Sequence, residues 1–195
     1  MTEPARNKNL KKLVWSAIFI GLGSVLSVFP KIPWINGGSI TLCSMLPVIL
    51  ISYRFGLKWG FGSSLAYAAL QIVLEPAFPP ASNIVSFILC FFLDYIIAFG
   101  VLGFGGLFRK TVKHAGIALV AGSALSLSLR FLSHFLSGAI IWAGYAEGNP
   151  WVYSLIYNGG YMLPELIMNC IAAAAVGLIL GDMLKKETDL EAVPE

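Results

Sequence analysis

The chain has 195 residues, of which 57% are hydrophobic and 12% charged, and its mean hydropathy is +0.80. Soluble domains carry about 25% charged residues, so the composition excludes an ordinary soluble protein, and with a net charge of only +3 no nucleic-acid partner is expected. Apolar runs long enough to cross a bilayer recur along the whole length, which predicts an integral membrane protein embedded in lipid.

The first stretch, MTEPARNKNLKK, is polar and charged, and the apolar segment behind it lacks a small-residue cleavage pattern. It reads as a cytoplasmic tail, residues 1–12, followed by a retained helix. Six spans are expected, at about 13–30, 39–54, 57–75, 84–107, 115–143 and 152–184, the second short and containing Pro47. Helices are favoured because an open sheet edge could not satisfy its backbone in lipid. The expected fold is therefore an all-α membrane protein with six transmembrane helices, a membrane domain over 13–184 and a C-terminal tail over 185–195.

Basic residues give the orientation. Arg6, Lys8, Lys11 and Lys12, then Arg54 and Lys58, then Arg109, Lys110 and Lys113, and finally Lys185 and Lys186 put 11 of the 13 on one side. Only Lys31 falls in a loop on the other side, while Arg130 lies within a span. The positive-inside rule makes both termini cytoplasmic. The three outer loops, KIPWINGGS, EPAFPPASN and GYAEGNPW, carry aromatics, prolines and glycines. They suit an interfacial aromatic belt or a site that opens outward. Cys43, Cys90 and Cys170 fall in apolar runs without C-x-x-C spacing, and read as small buried hydrophobes rather than as a disulfide framework or metal site.

Ionisable residues within spans are costly, so each asks for a reason. They are Asp94, Arg130, His134 and Glu165, with Asp182 at an inner end. Arg130, His134 and Gly138 recur every four residues on one helical stripe that ends at Trp142. A structural ion pair of Arg130 with Asp94 or Glu165 is one reading, since an unpaired buried Arg is expensive. The other is a binding site. Asp94 is followed by Tyr95, and the last span offers Tyr153, Tyr157, Asn158, Tyr161 and Glu165 on one side. Carboxylate, imidazole, amide, phenols and indoles are the groups that hold a flat heteroaromatic cation.

Nothing points to catalysis. There is no G-x-S-x-G, H-E-x-x-H or phosphate-cradling G-x-x-x-x-G-K-[ST], and GFGG at 103–106 reads as a helix end. With His114 and His134 alone, a histidine-rich metal centre is excluded, and no cofactor is expected.

The segments RFLSHFLSGAIIWAGYA and YSLIYNGGYMLPELI, supported by FLDY and PWINGG, resemble the S-components of energy-coupling factor (ECF) vitamin transporters, most closely the thiamine-specific ones. The resemblance covers about residues 13–184 and implies the ECF S-component fold in a prokaryotic plasma membrane. It also implies high-affinity capture of thiamine from outside, with delivery through a shared transmembrane coupling subunit and two ATP-binding subunits. Carried over by motif, the ligand-binding residues would be Trp34 in a covering loop, Asp94 and Tyr95, Arg130, His134, Gly138 and Trp142, then Tyr153 and Asn158. Asp94 stands where relatives often have glutamate, one methylene longer. Ala17 and Gly21 would form the small-x-x-x-small face that docks the coupling subunit. Arg130 is expected mainly to hold the buried carboxylates in place. An S-component for another vitamin or a thiamine precursor, and a standalone ion-coupled carrier, are the competing readings. A membrane-embedded enzyme is a third.

Overall fold

A computed structural model of the chain describes residues 3–34, 38–80 and 83–189. Parts of both expected tails, residues 35–37 of the first outer loop and 81–82 of the second lie outside the described residues. So do the side chains of Arg6, Asp182, Lys185 and Lys186.

Helix α1, Glu3–Val28, already includes most of the stretch expected as a tail. A short antiparallel hairpin follows, β1 at Lys31–Pro33 and β2 at Ser39–Thr41, in the register Lys31↔Thr41, Ile32↔Ile40, Pro33↔Ser39. Helix α2 covers Leu46–Phe55 and α3 Leu57–Leu74, divided by Gly56 at φ 88°, a left-handed conformation that glycine adopts without penalty. Helix α4 runs Ile84–Arg109, with a π-helical stretch at Phe91–Ile97 and a tighter 3-10 end at Val101–Arg109. Asn83 caps its start by accepting a bond from the Ser86 amide at 2.9 Å. Helix α5, Ala115–Ile140, leads through a 3-10 turn at Ala143–Tyr145 to α6, Pro150–Asp189.

The expected six helices are present, but the second span is shorter than expected. It was to start near residue 39, where the chain forms β2 and a turn containing Cys43 at φ 54°. Pro47 therefore sits in the first turn of α2, where its missing N–H costs nothing, and not inside a longer helix. Ten residues rise about 15 Å, half of the hydrocarbon thickness. Leu46–Tyr53 are all buried. Their apolarity belongs to a helix enclosed by its neighbours and not to a lipid face. Among the described residues, four segments are long and apolar enough to cross a membrane: Asn7–Val28, Ile84–Arg109, Ala115–Ile140 and Pro150–Gly181. Together with the exposed apolar faces, such as Leu13, Val14, Ile18 and Val25 on α1, they make this a multi-pass membrane protein.

Basic residues gather at one end of the bundle. Arg109 Nη1 donates to the carbonyls of Tyr53 (2.9 Å) and Arg54 (2.8 Å), tying the end of α4 to the α2–α3 turn. The Arg54 guanidinium lies 4.8 Å from the Trp15 ring centroid, so α1 joins the same cluster. The hairpin lies at the other end, beside α6, and the site is built beneath it.

Candidate ligand-binding site

A cavity of about 590 Å³ opens among the hairpin, α3, α4, α5 and α6. Asp94 lines one end of it. The π-helical stretch widens the turn of α4, and Asp94 and Tyr95 are both buried against the cavity. His134 Nδ1 is 3.1 Å from Asp94 Oδ1, and Trp142 Nε1 donates to Asp94 Oδ2 at 3.0 Å. The Cys90 thiol, one turn earlier in α4, donates to the same Oδ2 at 3.3 Å. The reading of Cys90 as merely a small hydrophobe thus missed a polar role, and Cys43 lies in the turn before α2 instead of within a span. A carboxylate fixed by groups from two helices presents a preset negative charge to the cavity.

Aromatic rings line the rest of that end. Trp142 stacks on Tyr145 with centroids 6.1 Å apart and planes at 18°. Along α6, Tyr153 and Tyr157 stack at 5.7 Å and 6°, and Tyr157 meets Tyr161 edge-on at 5.6 Å. The four-residue spacing in YSLIYNGGY thus forms a ladder of phenols facing the cavity.

Eight of the nine expected ligand residues line this one space: Asp94, Tyr95, Arg130, His134, Gly138, Trp142, Tyr153 and Asn158. Trp34 stands apart from the lining. Its indole packs on α6 at Gly160, where a Cβ would fall 2.5 Å from Trp34 Cζ2. Two of the eight spend their side-chain polar atoms on the protein itself, and a third is a packing seat. The Tyr95 hydroxyl is taken up by backbone, donating to Glu75 O at 2.7 Å and accepting from Ala77 N at 2.6 Å. The Asn158 amide joins α6 to α5: Nδ2 donates to His134 O, Ser154 O and Ser154 Oγ, and Oδ1 accepts from the Tyr161 hydroxyl at 2.9 Å. Gly138 is the seat for that join, since a Cβ there would strike Ser154 Oγ and the Asn158 amide.

Arg130 is the clearest correction. Among the described residues it forms no ion pair with Asp94 or Glu165. Its guanidinium lies 4.2 Å from the Phe99 ring centroid, and its buried Nε and Nη1 have no hydrogen-bond partner. The aromatic face offsets part of the burial cost that an acidic partner was expected to cover. Glu165 is instead held by Thr41 of β2, whose amide and hydroxyl both donate to Oε1, at 2.7 and 2.5 Å.

The sequence reading missed the α1–α3 wall. Gln71 and Tyr67 line the cavity from α3, with Gln71 Nε2 donating to Ser27 Oγ at 3.1 Å and Tyr67 to Gly23 O at 3.3 Å. The signal is an uncharged amide within an apolar helix, the same kind of group that marks Asn158 on α6.

The arrangement offers a fixed anion, aromatic faces and hydrogen-bonding atoms. Known proteins fit that chemistry. Two curated relatives are both named thiamine transporter ThiT. The one from Bacillus subtilis (strain 168) is 32% identical, covering 93% of this chain and 98% of its own. The one from Lacticaseibacillus paracasei is 27% identical, covering 90% and 89%. A solved structure of ThiT from Listeria monocytogenes shares the fold with a TM-score of 0.74 over 91% of this chain and 98% of that one, at 22% identity. The family model described as thiamine transporter protein matches residues 13–184, the whole predicted membrane domain, and the chain belongs to that family.

Proposed function

We propose that the chain is a high-affinity thiamine-binding subunit of an ECF-type importer in the cell membrane. In this reading thiamine is captured from outside, and a transmembrane coupling subunit with two ATP-binding subunits drives its release inside. The observation that carries the reading is Asp94, held by His134 and Trp142 at the end of an aromatic-lined cavity of about 590 Å³. Thiamine joins two flat heteroaromatic rings through a methylene, and one of them, the thiazolium, is permanently charged. A desolvated carboxylate compensates its charge, and Trp142, Tyr145, Tyr153 and Tyr157 offer faces for stacking. In this assignment Asp94, His134, Gly138, Trp142 and Tyr153 face the ligand, Arg130 borders it, and Tyr95 and Asn158 shape the walls. Trp34 belongs to the cover. The cluster of Arg54 and Arg109 marks the cytoplasmic end, and the exposed Ala17 and Gly21 on α1 form the docking face for the coupling subunit.

Titrating the purified protein with thiamine while following tryptophan fluorescence tests this directly, because Trp142 touches the central carboxylate. Saturable quenching at or below micromolar thiamine is expected. A flat titration would count against the proposal, and tighter binding of a neutral vitamin would redirect it to another ligand.

A further inference from the structure

The hairpin that covers the cavity is attached unequally along its two strands. Trp34 and Gly38, just past the strand ends, rest on α6. Gly38, which accepts a bond from the Trp34 amide at 2.7 Å, sits against Tyr157 and Tyr161, while Trp34 lies on Gly160. Farther along, Thr41 reaches Glu165, so β2 follows α6 over two helical turns. The rung Lys31↔Thr41 carries an attachment on each side. On the outer side, Lys31 Nζ meets Glu75 Oε1 at 2.6 Å, with the two side chains 39% and 36% exposed. On the inner side, Glu165 is 2% exposed, and Ser44 Oγ supports the Thr41 hydroxyl at 2.7 Å.

These two attachments differ in kind. An exposed ion pair is screened and contributes little. Detaching β2 would instead strand a buried carboxylate and lose two charge-assisted hydrogen bonds from one residue. The β2 edge is therefore the fixed edge of the cover, and the β1 edge is the releasable one.

We infer that Glu165 is a positioning residue: through Thr41 it clamps β2 of the covering hairpin to α6, and so sets how long a captured ligand stays. The inference rests on the proposed thiamine site, and Glu165 acts in it as a hydrogen-bond acceptor for the cover and not as a second counter-ion for the ligand. The acceptor role separates two substitutions. Gln at 165 still offers an oxygen to Thr41, whereas Ala offers none.

The test combines stopped-flow thiamine release with amide hydrogen exchange of residues 38–44 in ligand-free protein. For Glu165→Ala, release at least about tenfold faster is expected, from the loss of charge-assisted bonds. Association should stay within about threefold and exchange should accelerate, because only the closed cover is weakened. Glu165→Gln, which keeps an acceptor oxygen for Thr41 and loses the charge, should fall between wild type and Glu165→Ala in both readouts. Thr41→Val, which keeps shape and loses one donor, should fall between, and the Thr41→Val/Glu165→Ala double variant should be no worse than Glu165→Ala alone. Glu165→Gln as damaging as Glu165→Ala would overturn the clamp, because the retained acceptor oxygen would then hold nothing; so would additive effects of Thr41→Val and Glu165→Ala, or unchanged exchange. If Glu165→Ala does not fold, Thr41→Val decides by the same two readouts. Wild-type protein indifferent to thiamine would sink the proposed function, and the exchange comparison would still decide the clamp.

Discussion

Asp94 receives Trp142, His134 and Cys90 at once, so each of these side chains acts partly through it. Trp142→Ala removes both a stacking face and the indole donor to Asp94. Stacking on a desolvated cation is worth about 2 kcal/mol, so thiamine affinity should fall at least about tenfold, as measured by calorimetry on purified protein. Unchanged affinity would remove Trp142 from the site. Asp94→Asn keeps an oxygen that can accept a hydrogen bond from His134 or Trp142 but discards the charge. The expected result is a larger loss for thiamine than for an analogue whose thiazolium is replaced by a neutral ring. Equal losses for the two ligands would show that Asp94 supports the fold and not the ligand's charge.

At the scale of elements, the helices that meet lipid were legible and the parts that fold back inside were not. Hydropathy marks α1, α4, α5 and α6 because their lipid faces demand continuous apolar length. The same signal overextended α2, since a fully buried helix and a lipid-facing one share a composition. It also hid the three-residue strands, too short for any periodicity to register. The stripe Arg130–His134–Gly138–Trp142 and the tyrosine ladder were readable because helical spacing fixes a face. The partners were not: Arg130 over Phe99 and Glu165 under Thr41 depend on tertiary placement. The hairpin's seat on α6 gives a prediction of its own. Gly160→Ala places a Cβ 2.5 Å from Trp34 Cζ2, so the indole must lift. Alanine also favours the helix by up to about 1 kcal/mol relative to glycine. Thiamine release should therefore quicken by about three- to tenfold while the melting temperature holds or rises, a combination that isolates the seat of the cover from general destabilisation. Unchanged release would detach Trp34 from ligand retention.

On the scale of the whole molecule, the two ends of the bundle divide the labour. One end carries the cover, the carboxylate and the aromatic rings; the other carries the basic cluster of Arg54 and Arg109. Between them α1 presents Ala17 and Gly21 outward, and a Cβ added at Gly21 would meet nothing within 4 Å among the described residues. In the proposed function the chain captures the ligand and partner subunits supply the energy for its release, so capture and transport should be separable by substitution. Replacing both small residues, Ala17→Leu with Gly21→Leu, fills the face where a partner helix would approach, without touching the cavity. Thiamine affinity of the isolated variant should stay within about twofold of wild type, since neither residue lines the cavity. Uptake into vesicles that also carry the coupling subunit, the two ATP-binding subunits and ATP should fall at least about tenfold, as expected when a close helix contact is blocked. Full uptake by the double variant would place the docking face elsewhere on the bundle. Uptake by the wild-type chain alone, driven by a pH gradient, would replace the shared-subunit mechanism with a standalone carrier.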